Sequence, residues 1–353
     1  MTRPRAGAHY PRSFGEFLSW FSTDDDCRDF LVWMRWPEGF VCDKCHHVGG
    51  WALGDGRWEC AACSHRTSVT AGTIFDRTRT PLTVWFHACW AFATAKDGVS
   101  ALALQRDLQI GSYQTAWAML HRIRSALIRP GREQLAGTVE VDETYFGGEE
   151  KGLAGGRAKG KKQMVVLAVE QNPRGGLGRT RMRIIHDAKA ESLRPFIADN
   201  IAQGARVITD GWNGYRGIEK LGYIHDRRSQ RAVKAAGGSI DGVLPGVHRV
   251  AALAKRWLDS THQGSFGPKH LSLYLDEYAS RFNRRTSRSQ GMLFYRVIEL
   301  AIGHDPVRYK NLVRDKRPRK MPPRPPGATG RPPSIDRPTA DRPWRSPGKT
   351  YSG

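Results

Sequence analysis

Apolar residues change their spacing along this chain, and the changes mark its divisions. In two early stretches they recur every three or four positions, as the buried stripe of a helix does. Phe17–Phe21 follows Ser13 and Glu16, and Phe30–Trp36 follows Thr23 and Asp26. Both pairs have the spacing of a capping box, so two short helices are predicted. Thr80-Pro81 opens a third helix, which runs to Asp97-Gly98 and buries Val84, Trp85, Ala88, Cys89 and Phe92. Ser100–Leu108 and Tyr113–Ile128 follow, joined by Ile110-Gly111-Ser112, in the outline of a helix-turn-helix. An ordinary helical hairpin has the same outline.

From Thr138 the spacing becomes that of strands. Val139–Val141 reads as a short strand ending on Asp142, followed by a glycine-rich basic loop over 147–162. Met164–Val169 and Met182–Ile185 are the next strands, and Ala190–Ile201 is a helix despite Pro195. Val207-Ile208 is a strand ending on Asp210, Trp212–Ile218 is a turn-rich helix, and Tyr223-Ile224 is the last strand. Val247–Leu258, Lys269–Phe282 and Gln290–Ile302 are helices. Three strands, a helix, a strand, a helix, a strand and a helix make the element order of an RNase H-like domain. The predicted fold class is therefore a multidomain α+β or α/β protein.

Charge narrows the partners. Lys and Arg number 56 against 34 Asp and Glu, a net charge of +22. Residues 316–353 supply +8 of this and hold ten of the twenty prolines, so that tail is expected to stay disordered. The remaining +14 belongs to the folded part and favours a polyanion. Met164–Val169, the longest clean apolar run, is far too short to span a bilayer, and residues 1–14 lack a signal peptide's apolar core. A cytoplasmic, nucleoid-associated protein with no membrane partner is expected.

Cys42, Cys45, Cys60 and Cys63 form two Cys-x2-Cys knuckles around the turn Gly54-Asp55-Gly56. In a reducing compartment this spacing predicts a structural, tetrahedral Zn²⁺ in a zinc ribbon. His46, His47 and His65 stand near, but four thiolates already close such a site. Cys27 and Cys89 fall in helical patterns and read as small core residues.

Asp142 and Asp210 each end a strand and precede glycine-bearing turns. Either one alone reads as a cap; two on neighbouring strands of one sheet point to a hard divalent cation between them. His248 and Lys255 lie seven residues apart on one helix, nearly two turns, and so face one side. His248 is a candidate third ligand and Lys255 a candidate phosphate contact; Glu143, Asp276 and Glu277 are rival ligands. At the start of the second helix-turn-helix helix, Tyr113, Gln114, Thr115, Trp117 and Ala118 are placed to meet base edges. His121, Arg122 and Arg124 suit phosphates.

Several longer motifs join these residues. They are Glu140-Val-Asp-Glu-Thr-Tyr-Phe-Gly-Gly148, Thr209-Asp-Gly-Trp-Asn-Gly-Tyr215, Val247-His-Arg-Val and Lys255-Arg-Trp257. After them come Thr261-His-Gln-Gly264, Pro268-Lys-His-Leu, Tyr274-Leu-Asp-Glu-Tyr278 and Arg281-Phe-Asn-Arg-Arg285. With the ribbon, the set resembles bacterial insertion-sequence transposases of the ISXO2-like group over roughly residues 15–303.

The resemblance implies an RNase H-like enzyme of the acidic-triad superfamily. It cuts the ends of an element and joins the 3′-hydroxyl to target DNA by two-metal phosphoryl transfer. Asp142 and Asp210 match the first two acids, His248 stands at the third place, and Lys255 is the lysine after it. Mg²⁺ or Mn²⁺ is the implied catalytic ion. DNA contacts are expected from Tyr113, Gln114, Thr115, Arg122, Arg124, Lys161, Lys162, Lys255 and Arg256. The partners implied are terminal inverted repeats and target DNA, bound by a homodimer or larger assembly. Expected domains are a helical lead-in and ribbon (13–78), a helix-turn-helix region (79–130), a catalytic domain (137–303) and the basic tail (316–353). The alternatives are an inactive or domesticated copy that only binds DNA, and a nuclease that cuts without joining.

Overall fold

The computed structural model describes residues 4–129, 131–147, 162–229, 242–262 and 269–313, with single residues 235, 237 and 267. Two units result: Ile128–Thr286, and the segments before and after it. The glycine-rich loop from 148 to 161, with Lys161, and the basic tail lie outside the described residues.

The first unit opens with α1 (Phe14–Trp20) and α2 (Asp24–Arg35). Thr23 forms the full capping box: its hydroxyl accepts from the Asp26 N–H at 3.1 Å, and the Asp26 carboxylate accepts from the Thr23 N–H at 3.0 Å. Ser13 makes only half of one, because the Glu16 carboxylate takes the Arg12 N–H at 2.7 Å instead. β1 (Gly50–Ala52), β2 (Arg57–Cys60) and β3 (Arg66–Ser68) form an antiparallel ribbon. The helices α3 (Leu82–Thr94), α4 (Ala101–Asp107) and α5 (Tyr113–Ser125) follow.

The second unit is built on β4 (Thr138–Phe146), β5 (Gln163–Gln171), β6 (Leu177–Ile185), β7 (Arg206–Thr209) and β8 (Ile224–Arg227). Their order across the sheet is β6-β5-β4-β7-β8, with β5 antiparallel to its neighbours and β7 and β8 parallel to β4. This is the RNase H-like arrangement expected from the element order. Strand alternation gives the sheet two apolar faces. Val139, Val141, Val166 and Val207 pack with Leu193, Phe196 and Ile197 of α6 (Ala190–Asn200). Val165, Leu167, Val169 and Phe146 pack with α7 (Pro245–His262) and α8 (Leu271–Asn283). Each fully buried Val or Leu contributes roughly 1.5–3 kcal/mol.

Two strands are longer than their apolar runs suggest. β4 does not end on Asp142 but continues to Phe146, because Asp142, Glu143 and Thr144 pair with the uninterrupted apolar run Leu167, Val166 and Val165 of β5. β6 begins at Leu177, five residues before Met182. Arginines alternate along it: Arg179 pairs with Glu170 at 2.6 Å and Arg183 with Asp199 at 2.9 Å, while Arg181 donates to the carbonyls of Thr180 and Glu133. The turn-rich helix is two short 3-10 turns, Asn213–Tyr215 and Ile218–Leu221.

The outer edge of β6 is partly closed by side chains. The Asn283 carboxamide accepts from the Thr180 N–H at 2.7 Å and donates to the Thr180 carbonyl at 3.1 Å. Arg285 donates to the carbonyls of Leu177 and Gly178.

After Thr286 the chain returns to the first unit as α9 (Gln290–Ile302) and α10 (Tyr309–Val313). Phe294 of α9 is fully buried, its ring 5.2 Å from Phe17, 5.6 Å from Phe21 and Trp90, and 5.7 Å from Phe86. Gly291 lets this helix come close: a Cβ there would lie 1.6 Å from the Pro11 carbonyl oxygen. The expected catalytic domain, 137–303, therefore includes a helix that packs in the other unit. Helical spacing shows that Gln290–Ile302 has a buried face but not which core it enters.

Candidate functional site

The two cysteine knuckles are built alike. The Cys42 N–H donates to the His47 carbonyl and the His46 N–H returns to the Cys42 carbonyl, both at 3.0 Å; Cys60 with His65 and Ser64 with Cys60 repeat the pair at the same distances. His46 and Ser64 take the left-handed conformation, φ 59° and 51°, which reverses the chain after the second cysteine of each knuckle. The four sulfurs lie within 4.8 Å of one another, with Cys42–Cys63 at 3.7 Å and Cys45–Cys60 at 3.6 Å. A tetrahedron with Zn–S bonds of ~2.3 Å has an edge of about 3.8 Å, so the set fits zinc. Burial raises the Cys60 thiol, but the N–H groups of Cys63 and Ala62 outweigh it and bring it down to about 7. At Cys45, by contrast, the His47 N–H is outweighed by the neighbouring thiols and the thiol is pushed up to about 12. Phe40 and Trp36 pack on Trp58 beside the ribbon turn, at 5.4 and 5.7 Å.

α4 and α5 form the expected helix pair, turned by Gln109 at φ 49° and capped by Ser112, whose hydroxyl accepts from the Thr115 N–H at 3.1 Å. Tyr113 and Gln114 are exposed, and Thr115 is half-buried with its hydroxyl 2.9 Å from Ser112. The basic end of α5 differs from expectation. Arg124 is only 2% exposed, so it is a core residue and no phosphate contact. His121 is likewise buried, and Arg122 donates to the Val307 carbonyl at 2.8 Å. The segment preceding α10 covers this end of the helix, and sequence spacing gave no sign of it.

In the sheet unit, parallel pairing sets Glu140 opposite Ile208. Asp142 stands two residues further along β4, and Asp210 follows the last residue of β7. Even-numbered positions of β4 face α7. The Asp142 carboxylate lies 3.3 Å from His248 Nε2, and Lys255 Nζ donates to Thr144 Oγ1 at 2.8 Å and sits 5.6 Å from the Phe146 ring. His248 and Lys255 thus share the side that their spacing predicts. Burial and nearby Lys162 lower the Lys255 ammonium's pKa, with Asp259 opposing them. Arg256, the next residue, is exposed. Asp210 Oδ1 accepts from the Trp212 N–H at 2.9 Å, which fixes the turn after β7.

The rival ligands have other partners. Glu143 points to the opposite face of β4, where it accepts from the Tyr215 hydroxyl at 2.6 Å. Burial, then Glu143, Asp142 and Asp210, raise that phenol well above its ordinary range. Glu277 is fully buried and paired with Arg281 at 2.8 Å. Asp276 is pushed up to about 7 by burial, with Arg132 opposing.

One grouping had no sequence signal. Thr209 Oγ1 lies 2.9 Å from His225 Nε2, and His225 Nδ1 lies 2.9 Å from Glu219. The three resemble a nucleophile relay, but Thr209 is fully buried, which suits a brace for the end of β7.

One chain thus joins an RNase H-like sheet to a four-cysteine ribbon. Residues 134–283 match the ISXO2-like transposase domain and residues 22–66 match the transposase zinc-ribbon domain, so the chain carries both of these transposase domains. It is also similar to an uncharacterized protein in transposable element ISH50 of Halobacterium salinarum. The two are 26% identical over 284 residues, 74% of this chain and 91% of the relative. Among the described residues no helix is long and apolar enough to cross a membrane.

Proposed function

We propose that this chain cuts the ends of an insertion element and joins the freed 3′-hydroxyls to target DNA. The observation that supports this best is the His248 imidazole 3.3 Å from the Asp142 carboxylate, with Asp210 just past the end of β7, the strand that pairs with β4. Two carboxylates and an imidazole make an oxygen-rich donor set that suits Mg²⁺ or Mn²⁺. Asp142, on the central strand, would hold both ions, with Asp210 and His248 holding one each. Such ions supply Lewis acidity at the scissile phosphate and lower the pKa of attacking water.

The chain's own groups do the positioning. Trp212 N–H orients Asp210, β5 pairing keeps Asp142 in line, and Lys255 and Arg256 offer charge to the DNA backbone. Lys162 adds charge beside Lys255. Tyr113 and Gln114 are exposed residues with which α5 would read the terminal repeats, and the ribbon would be a second reader. The protein would work on chromosomal DNA in the cytoplasm, and joining two ends at once calls for at least two copies.

A strand-transfer assay with labelled element ends and a target plasmid tests the proposal. Cleavage with joining is expected. Cleavage without joining would indicate a nuclease, and end binding without cleavage a DNA-binding copy.

A further inference from the structure

Asp142 has a polar neighbour on each side along the same face of β4, and each reaches α7. Glu140 Oε2 accepts from the Val247 N–H at 2.8 Å, Asp142 meets His248 at 3.3 Å, and Thr144 accepts from Lys255 at 2.8 Å. Alternate strand residues are spaced about 6.7 Å, and seven helical residues span about 10.5 Å. The helix therefore lies along the strand with three points of attachment, and the first is buried. Glu140 is only 1% exposed, and its other oxygen accepts from Gln171 Nε2 at 2.7 Å. Val247 is in the first turn of α7, where the N–H groups have no carbonyl within the helix.

Gly246 completes the joint. A Cβ there would fall 2.9 Å from Glu140 Oε2 and 3.0 Å from Leu177 Cδ2, so the helix start rests directly on the carboxylate. A slip of one residue would shift α7 by ~1.5 Å and turn it by ~100°, which would carry His248 off Asp142.

We infer that Glu140 is a positioning residue: by holding the Val247 N–H it fixes the register of α7 and with it the place of His248 beside Asp142. The inference rests on the proposed role of His248 as a metal ligand. Losses of outer partners of metal ligands weaken metal affinity by roughly 10–100-fold, and that is the effect expected here.

The test uses the full-length, zinc-loaded chain, titrated with Mn²⁺ and followed by electron paramagnetic resonance. Wild type should bind Mn²⁺ with a ¹⁴N coupling that His248→Ala removes; its absence from wild type would overturn both the ligand role and this inference. Glu140→Ala should bind Mn²⁺ about 10–100-fold more weakly and lose the ¹⁴N coupling, whereas Glu140→Gln, whose amide oxygen still accepts from Val247, should stay within about threefold. Val250→Ala, a packing change on the same helix, should lower the melting temperature yet keep the coupling. If Glu140→Ala does not fold, Gln171→Ala and Gly246→Ala should each weaken Mn²⁺ binding by about three- to tenfold. Unchanged affinity and coupling in Glu140→Ala, or in both of the latter pair, would overturn the inference.

Discussion

The ribbon and the sheet both gather candidate metal ligands, but from very different lengths of chain. Four cysteines come from residues 42 to 63 and are aimed by two short knuckles that make their own hydrogen bonds. Asp142, Asp210 and His248 come from three separate elements, so the contact of Asp142 with His248 depends on where α7 rests, and the place of Asp210 on the parallel register of β4 with β7. A local site stands or falls with its metal. A site assembled by topology stands without its metal and is damaged by small shifts in packing.

The largest expected effect breaks the local site. Cys42→Ser with Cys45→Ser should abolish zinc binding, measured as one metal per chain in wild type. The loss is on the order of 10 kcal/mol of ribbon folding energy. Specific end binding should fall with it, while the sheet unit keeps its secondary structure and DNA is still bound nonspecifically. Zinc content equal to wild type would remove these cysteines from the site.

Next come the acids. Asp142→Asn or Asp210→Asn should lower cleavage by more than about a thousandfold, with end binding and melting temperature nearly unchanged, since neither side chain supports a core. Substantial cleavage by either variant would place the chemistry elsewhere. His248→Glu should act more gently, retaining activity and shifting the preference from Mn²⁺ toward Mg²⁺, because a carboxylate is the harder ligand. An unchanged metal preference would count against His248 as a ligand.

The smallest effect concerns stability alone. Burial raises Asp276 to about 7, well above its unfolded value of 3.8. A carboxyl raised on folding favours the native state while protonated, so this contribution is present at low pH and fades as pH rises from about 4 through 7. Asp276→Asn should therefore melt higher than wild type at pH 8, by on the order of 1–2 kcal/mol, and close to it at pH 4. An equal difference at both pH values would rule out the carboxyl as its source.

Local information made the ribbon legible, together with the capping box at Thr23 and the shared side of His248 and Lys255. Spacing did not reveal that β4 continues past Asp142, because the pairing that extends it belongs to β5. Nor did it reveal the burial of Arg124, or that Arg122 is taken up by the Val307 carbonyl: a basic residue near a helix end reads as surface until its tertiary neighbours are known. Glu140 carried no distinct signal. In sequence it is one more acid beside Asp142, and only the approach of Gly246 and Val247 gives it a role.

Asn283, within the motif Arg281-Phe-Asn-Arg-Arg285, shows what such a motif can do without touching substrate. Its carboxamide occupies both hydrogen-bonding groups of Thr180, as a neighbouring strand would. A strand edge left open is a template for aggregation or for exchange of segments between copies. With Asn283 and Arg285 in place, an incoming strand would have to displace side chains held in their own fold before it could pair at this end of β6. This end of β6 therefore offers no ready edge to the sheet of a second copy.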